Sequence, residues 1–174
     1  DLTSATDVLG HTETYAYTNH HLTSRTDKRG STFLSFYDLQ DRWVGGRDAL
    51  GFETQLVHDA VNRKAVFFDK TGAATAYEFT PGGSPASVTD AVGNRIDRIW
   101  DANFNNTRVT DARGLATVMA FDAKGNLTGR THPDGRVDSF TYEATFSRPL
   151  TQASTGLPTV TNTYDTSGRL LTKK

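Results

Sequence analysis

The chain has 174 residues, a formal net charge of -1, 22% charged and 36% hydrophobic residues, a composition between that of a compact globule and that of a polar repeat array. So balanced a charge disfavours nucleic acid, whose partners concentrate Lys and Arg to neutralise phosphate. Cysteine is absent, which removes disulfides, thiolate metal sites and a Cys nucleophile. No apolar run reaches the roughly 18 residues that span a bilayer, and Asp1-Leu2-Thr3 shows neither a basic n-region nor an apolar h-region, so any export signal is expected elsewhere.

Along the chain, glycines recur at Gly10, Gly30, Gly51, Gly72, Gly93, Gly114, Gly135 and Gly156, with a spacing of 20 residues once and 21 thereafter. Three residues before them stand Asp7, Asp27, Asp48, Asp69, Asp90 and Asp111, which gives the motif D-x-x-G. Asp bonds its own backbone two residues on and Gly takes positive φ freely, so each motif predicts a tight turn.

Seven residues after the glycine comes an aromatic or His: Tyr17, Tyr37, His58, Phe79, Trp100, Phe121 and Tyr142, with Tyr164 one place late. An acidic residue follows in six cases, Asp38, Asp59, Asp101, Asp122, Glu143 and Asp165, and a second turn signal comes soon after. Between the turns, Thr75, Tyr77 and Phe79 share one parity, the period-2 pattern of a strand, and Thr6, Thr26, Thr89, Thr110 and Thr131 mark strands before the D-x-x-G turns. Turn chemistry interrupts every segment before a helical period could establish itself, so no helix is predicted.

The predicted fold is all-β: tandem antiparallel hairpins, about eight repeats over residues 1–174 as a single array. Two strands per repeat give about sixteen strands, and at roughly 4.8 Å per strand such a sheet spans about 75 Å. A twisted sheet of that many strands tends to curl. Neither end carries a polar cap, so the array reads as an internal fragment of something larger.

On Tyr37-Asp38, Phe121-Asp122-Ala123-Lys124-Gly125-Asn126-Leu127 and Tyr164-Asp165-Thr166-Ser167-Gly168-Arg169-Leu170, the chain resembles the YD-repeat, or Rhs-repeat, family over essentially its whole length. The resemblance implies a long curved sheet within a hollow shell, a β-cocoon. Such shells occur in bacterial Rhs polymorphic toxins and in the encapsulating component of insecticidal toxin complexes. It implies a structural, non-enzymatic role: enclosing and shielding a C-terminal toxin domain until delivery. The implied partners are the rest of the shell polypeptide, the enclosed domain, and secretion-apparatus or chaperone proteins. The implied location is cytoplasmic in the producing bacterium, then secreted or delivered into a target cell. The alternative is a surface or glycan-binding adhesion repeat, teneurin-like or wall-associated.

Departures from the pattern are few. The autoproteolytic D-P-x-G-L motif has no match; His132-Pro133-Asp134-Gly135-Arg136 is the nearest lookalike. His58 stands for an aromatic, Thr18 and Thr80 for the acidic residue, and His132 and Ala153 for the turn Asp. Such degeneracy fits positions that need a shape more than a chemistry.

Other candidates reduce to repeat chemistry. Asp101-Ala102-Asn103-Phe104-Asn105 opens like a calcium loop but lacks Gly at the sixth and Glu at the twelfth position. Gly46-Arg47-Asp48-Ala49-Leu50-Gly51 has P-loop spacing but continues into Phe52-Glu53. His20-His21 has no third ligand at motif spacing and reads as a solvent-exposed turn. The recurring Asp38, Asp59, Asp101, Asp122 and Asp165 repeat too regularly for a catalytic pair. The rings Tyr15, Tyr17, Tyr77, Phe79, Trp100, Phe121, Phe140 and Tyr142 read as packing between hairpins rather than a stacking platform. No cofactor or metal is expected. The residues expected to matter are those of the repeat: Asp27, Gly30, Tyr37, Asp38, Asp48, Gly51, Asp69, Gly72, Phe79, Asp90, Gly93, Trp100, Asp101, Asp111, Gly114, Phe121, Asp122, Gly135, Tyr142, Tyr164 and Asp165.

Overall fold

A computed structural model describes residues 1–174 as seventeen β-strands, one more than the period suggests, with no helix. They fall into two compact units, Asp1–Glu78 with Thr89–Gly93, and Phe79–Val88 with Asn94–Lys174. The first carries β1 (Ser4–Thr6), β2 (Thr12–Thr18), β3 (His21–Thr26), β4 (Thr32–Tyr37), β5 (Trp43–Arg47), β6 (Glu53–Asp59), β7 (Lys64–Phe68) and β8 (Ala74–Phe79). The second carries β9 (Pro85–Thr89), β10 (Arg95–Trp100), β11 (Asn106–Thr110), β12 (Ala116–Phe121), β13 (Leu127–Thr131), β14 (Val137–Tyr142), β15 (Pro149–Ser154), β16 (Val160–Tyr164) and β17 (Leu170–Lys173). The unit boundaries fall at the last residues of β8 and β9.

In the first unit each strand pairs antiparallel with the next in chain order, and one row runs Phe36, Gly45, Gln55, Phe68, Ala74 across β4 to β8. In the second unit the same meander runs from β10 to β17, with Met119, Arg130, Asp138 and Ser154 in one row. Alternation is plain in β2, where Glu13, Tyr15 and Tyr17 are half-buried and their neighbours exposed. The cover is thin. Ala65 is the one buried hydrophobic side chain, and Ser87 and Asp138 are the buried polar ones. Each unit is therefore a sheet without an apolar layer packed against it, unlike the two-layer domains that most sheets form.

The turns carry the stability that a core would otherwise supply. At Asp111 the backbone N–H donates to the Leu115 carbonyl and the Gly114 N–H donates to the Asp111 carbonyl, both at 2.9 Å, while Gly114 lies at φ 80. A Cβ on Gly114 would meet nothing within 4 Å, so its requirement for glycine is purely a backbone one. Where the second turn of a repeat lacks glycine, Asp41 (φ 60) and Phe104 (φ 62) take the left-handed conformation themselves.

Two departures from the expected pattern are local. The turn expected around Ala153 slips one residue, with Ser154 accepting the Leu157 N–H, because β15 extends to Ser154. His132 keeps the turn without a carboxylate, accepting the Gly135 N–H, and Asp134 takes over the side-chain bond by accepting the Arg136 N–H at 3.0 Å. Replacing Gly114 with Val should cost about 1–2 kcal/mol from backbone strain alone. Gly46→Ala should cost more, because its Cβ would sit 2.7 Å from the Leu34 carbonyl oxygen. Chemical denaturation of the two variants checks the order.

Candidate functional site

Two features recur with the repeat, the Asp-capped turn and a ring that reaches back to the preceding strand. In the D-x-x-G turns one carboxylate oxygen accepts two backbone N–H groups, two and four residues on. Asp27 takes those of Arg29 and Ser31, Asp48 those of Leu50 and Phe52, Asp69 those of Thr71 and Ala73, and Asp111 those of Arg113 and Leu115. The acidic residue after the ring does the same work in the second turn: Asp38, Asp101, Asp122 and Asp165 each accept at the same offsets. Thr80 does half of it, its hydroxyl accepting the Ser84 N–H. The two motifs are thus one Asx turn used twice per repeat.

Hydrogen bonding to the charged form holds the carboxyls of Asp27, Asp38, Asp69, Asp101, Asp111 and Asp122 below their ordinary value. The Lys28 ammonium, 2.9 Å away, together with the His11 and Leu9 N–H groups, outweighs desolvation and lowers Asp7 from 3.8 to about 2. Asn105 lowers Asp101, Asn126 lowers Asp122, and the Leu115 N–H lowers Asp111.

The ring position is tied in space as well as in sequence. Tyr37 donates to the Leu22 carbonyl at 3.2 Å, Tyr142 to Leu127 at 2.8 Å, Tyr164 to Pro149 at 2.9 Å, and the Trp100 indole N–H to Pro85 at 2.7 Å. His58 Nε2 lies 3.2 Å from the Trp43 carbonyl oxygen. Every partner is fifteen residues earlier, on the strand paired across the D-x-x-G turn.

The same residue marks a register shift toward the following strand, at Ala16/Tyr17, Phe36/Tyr37, Ile99/Trp100, Ala120/Phe121, Thr141/Tyr142 and Thr163/Tyr164. A bulge disrupts the ladder and increases twist, and the polar tip of the ring bridges back across the open end of the D-x-x-G hairpin. His58 is therefore no lapse. Tyr, Trp and His share a donor at this position, which Phe79 and Phe121 lack, and at His58 the β6–β7 register runs on without a bulge.

The repeat analysis does not reveal the cluster on Asp138. This carboxylate, 8% exposed, accepts from Ser154 Oγ at 2.6 Å and lies 2.8 Å from His132 Nε2, with Arg130 at 4.0 Å. Ser154 and then His132 hold the Asp138 carboxyl below its ordinary value. Asp138 lies between Ser and His, so the hydroxyl points at a carboxylate and not at the imidazole. That arrangement ties β14 to β15 and to the turn after β13, and lacks the serine-to-base bond that activates a nucleophile.

The remaining candidates are placed as follows. Both Asp101 oxygens are engaged by amides of its own turn. Gly46 and Arg47 lie in β5, followed by the Asp48 turn and β6 rather than by a helix. His20, with Asn19, forms the positive-φ hairpin turn after Thr18, and the His21 ring packs 4.7 Å from that of Tyr37. No three His, Asp or Glu side chains converge as a metal-ligand group.

The RHS Repeat family model matches residues 100–137. Among solved structures, the chain is similar to the crystal structure of TcdB2-TccC3-Cdc42, with a TM-score of 0.62 and 12% identity over 99% of this chain. It is similar also to TcdB2-TccC3 without hypervariable C-terminal region (0.61, 12%, 99% of this chain) and to TcdB2-TccC3 (0.59, 10%, 98% of this chain). In each case it spans 12% of the other chain, and at such identity the likeness is one of fold. No curated protein sequence matches it.

Two outcomes test the geometry. Tyr142→Phe removes a neutral hydrogen bond at a hairpin's open end and should lower stability by about 0.5–1.5 kcal/mol in denaturant titration. Asp7 and Asp122 are lowered from 3.8 in the folded state, so their contribution is present above that pH and is lost as pH falls through the folded values, about 2 for Asp7. Asp122→Asn keeps an acceptor oxygen without the titration, so its denaturation midpoint should fall less steeply than the parent's as pH drops from about 5 to about 2. Residues 100–137 thus match the RHS Repeat family model, and the 21-residue register carries the same turn chemistry along the rest of the chain.

Proposed function

We propose that this array is one stretch of the wall of a hollow YD-repeat shell, which encloses a toxin domain of the same polypeptide and shields it until delivery. The observation that carries this reading is a sheet with a single buried hydrophobic side chain, stiffened instead by capped turns and back-reaching rings. A wall of that kind separates two spaces without needing a core of its own. The fold shared with TcdB2-TccC3 supports it, and one of those structures is described as being without a hypervariable C-terminal region.

In this reading the chain is not itself an enzyme. Its partners are the remainder of the shell, the enclosed domain, and the secretion or chaperone proteins that handle the assembly, which leaves a bacterium for a target cell. The repeat residues from Asp27 to Asp165 serve the wall and bind no ligand. The adhesion alternative draws no support from Trp100, whose indole N–H is committed to Pro85.

Cryo-electron microscopy of the parent polypeptide, combined with limited proteolysis, tests the proposal. A closed shell with an interior, and a downstream segment resistant to protease until the shell is denatured, is the expected result. An extended rod, or a downstream segment digested as fast as the free peptide, overturns it.

A further inference from the structure

From β12 to β17 the second unit sorts its side chains by chemistry. Alternation along each strand and register between strands give the sheet two faces. One face carries the row Met119, Arg130, Asp138 and Ser154. By the same parity it takes Phe121, Phe140, Tyr142 and Tyr164, and Lys173 opposite Asn162. Every ring and every charged side chain of these strands therefore lies on that one face.

The opposite face has neither. One of its rows runs Val118, Thr131, Val137 and another Thr141, Thr151, Thr161, with Ser139 between them on β14. It is also the barer face. Val118 and Val137 are 46% and 45% exposed and Ser139, Thr141 and Thr161 are exposed with them, whereas Phe140, Tyr142 and Tyr164 are half-buried. Its hydroxyls satisfy one another, Thr141 with Thr151 at 2.7 Å and Thr163 with Thr172 at 2.8 Å. Charge returns to this face only toward β10, with Arg108 opposite Val118 and the Arg95–Asp97 pair.

A surface in bulk water typically draws about a quarter to a third of its residues from Lys, Arg, Glu and Asp, which keep it soluble. Strands β12 to β17 span roughly 25 Å at about 4.8 Å per strand, and this face offers no charge across that width. It is not built for the outside. Nor is it built to grip, because binding anchors are enriched in Tyr, Trp and Arg while Ser, Thr and Val are under-represented among them.

We infer that the ring-free face of β12 to β17 looks into the shell, a neutral hydroxyl lining against which the enclosed chain lies without being held, and that the face with rings and charges looks out. This orientation rests on the shell reading and adds to it the side on which the cargo lies.

Single cysteines in the parent polypeptide, with any other cysteine replaced by serine, test the orientation. Val118→Cys and Ser139→Cys report the ring-free face, and Gln152→Cys, exposed and opposite Phe140, reports the other. Each is treated with a maleimide bearing a polyethylene glycol chain too large to enter a closed shell, and labelling is read as a gel shift in the native protein and in denaturant. Gln152→Cys should label readily in the native protein and the other two about tenfold more slowly, since thiol reaction follows access. In denaturant all three should label alike. Two reporters on the ring-free face keep the result readable if one substitution folds poorly. Protection of Gln152→Cys with labelling of the other two overturns the orientation and leaves the shell standing, as does equal protection of all three. Equal labelling of all three in the native protein overturns the shell reading and the orientation with it.

Discussion

One carboxylate oxygen shared between two backbone N–H groups lets this chain reverse direction again and again with no core behind it. Hairpins are marginal in water because a turn fixes many dihedrals for few bonds. Here the Asp side chain adds two acceptances to the two backbone bonds that close the turn, as at Asp111, and the following glycine takes positive φ at no steric cost. With the turns set, strand register follows, and with register fixed the half-buried side chains align in rows across each unit.

The second constraint joins hairpins rather than forming them. A bulge at the ring twists the strand away from its next neighbour, and the polar tip of the same ring holds the hairpin behind it. One residue thus loosens the ladder on one side and closes it on the other. Tyr and Trp suit this role because they combine a large apolar body with a donor at the far end.

The turns and strands were legible in the sequence because their chemistry is local: Asp and Gly three apart, and alternation between turns. The tie was not, since a bond to a residue fifteen positions earlier leaves no motif at either end, and the acceptor is a backbone carbonyl that any residue supplies. The signal that could have revealed it was the company His58 keeps. His, Tyr and Trp differ in shape but share a donor, a common chemistry that reading the position as a shape alone passes over, while Phe79 and Phe121 keep only the ring. Asp138 was invisible for a related reason. It occupies a place where other repeats put Thr54, Thr75 or Thr117, and only the register with Ser154 and the turn at His132 gives it partners.

The ties have one direction. Each runs from a ring to a carbonyl earlier in the chain, and none of the five reaches forward. A polypeptide leaving the ribosome therefore already holds the acceptor for every ring at the moment that ring emerges. Each hairpin can lock onto finished structure without waiting for what comes next. The array has a grain, and it is the grain of translation.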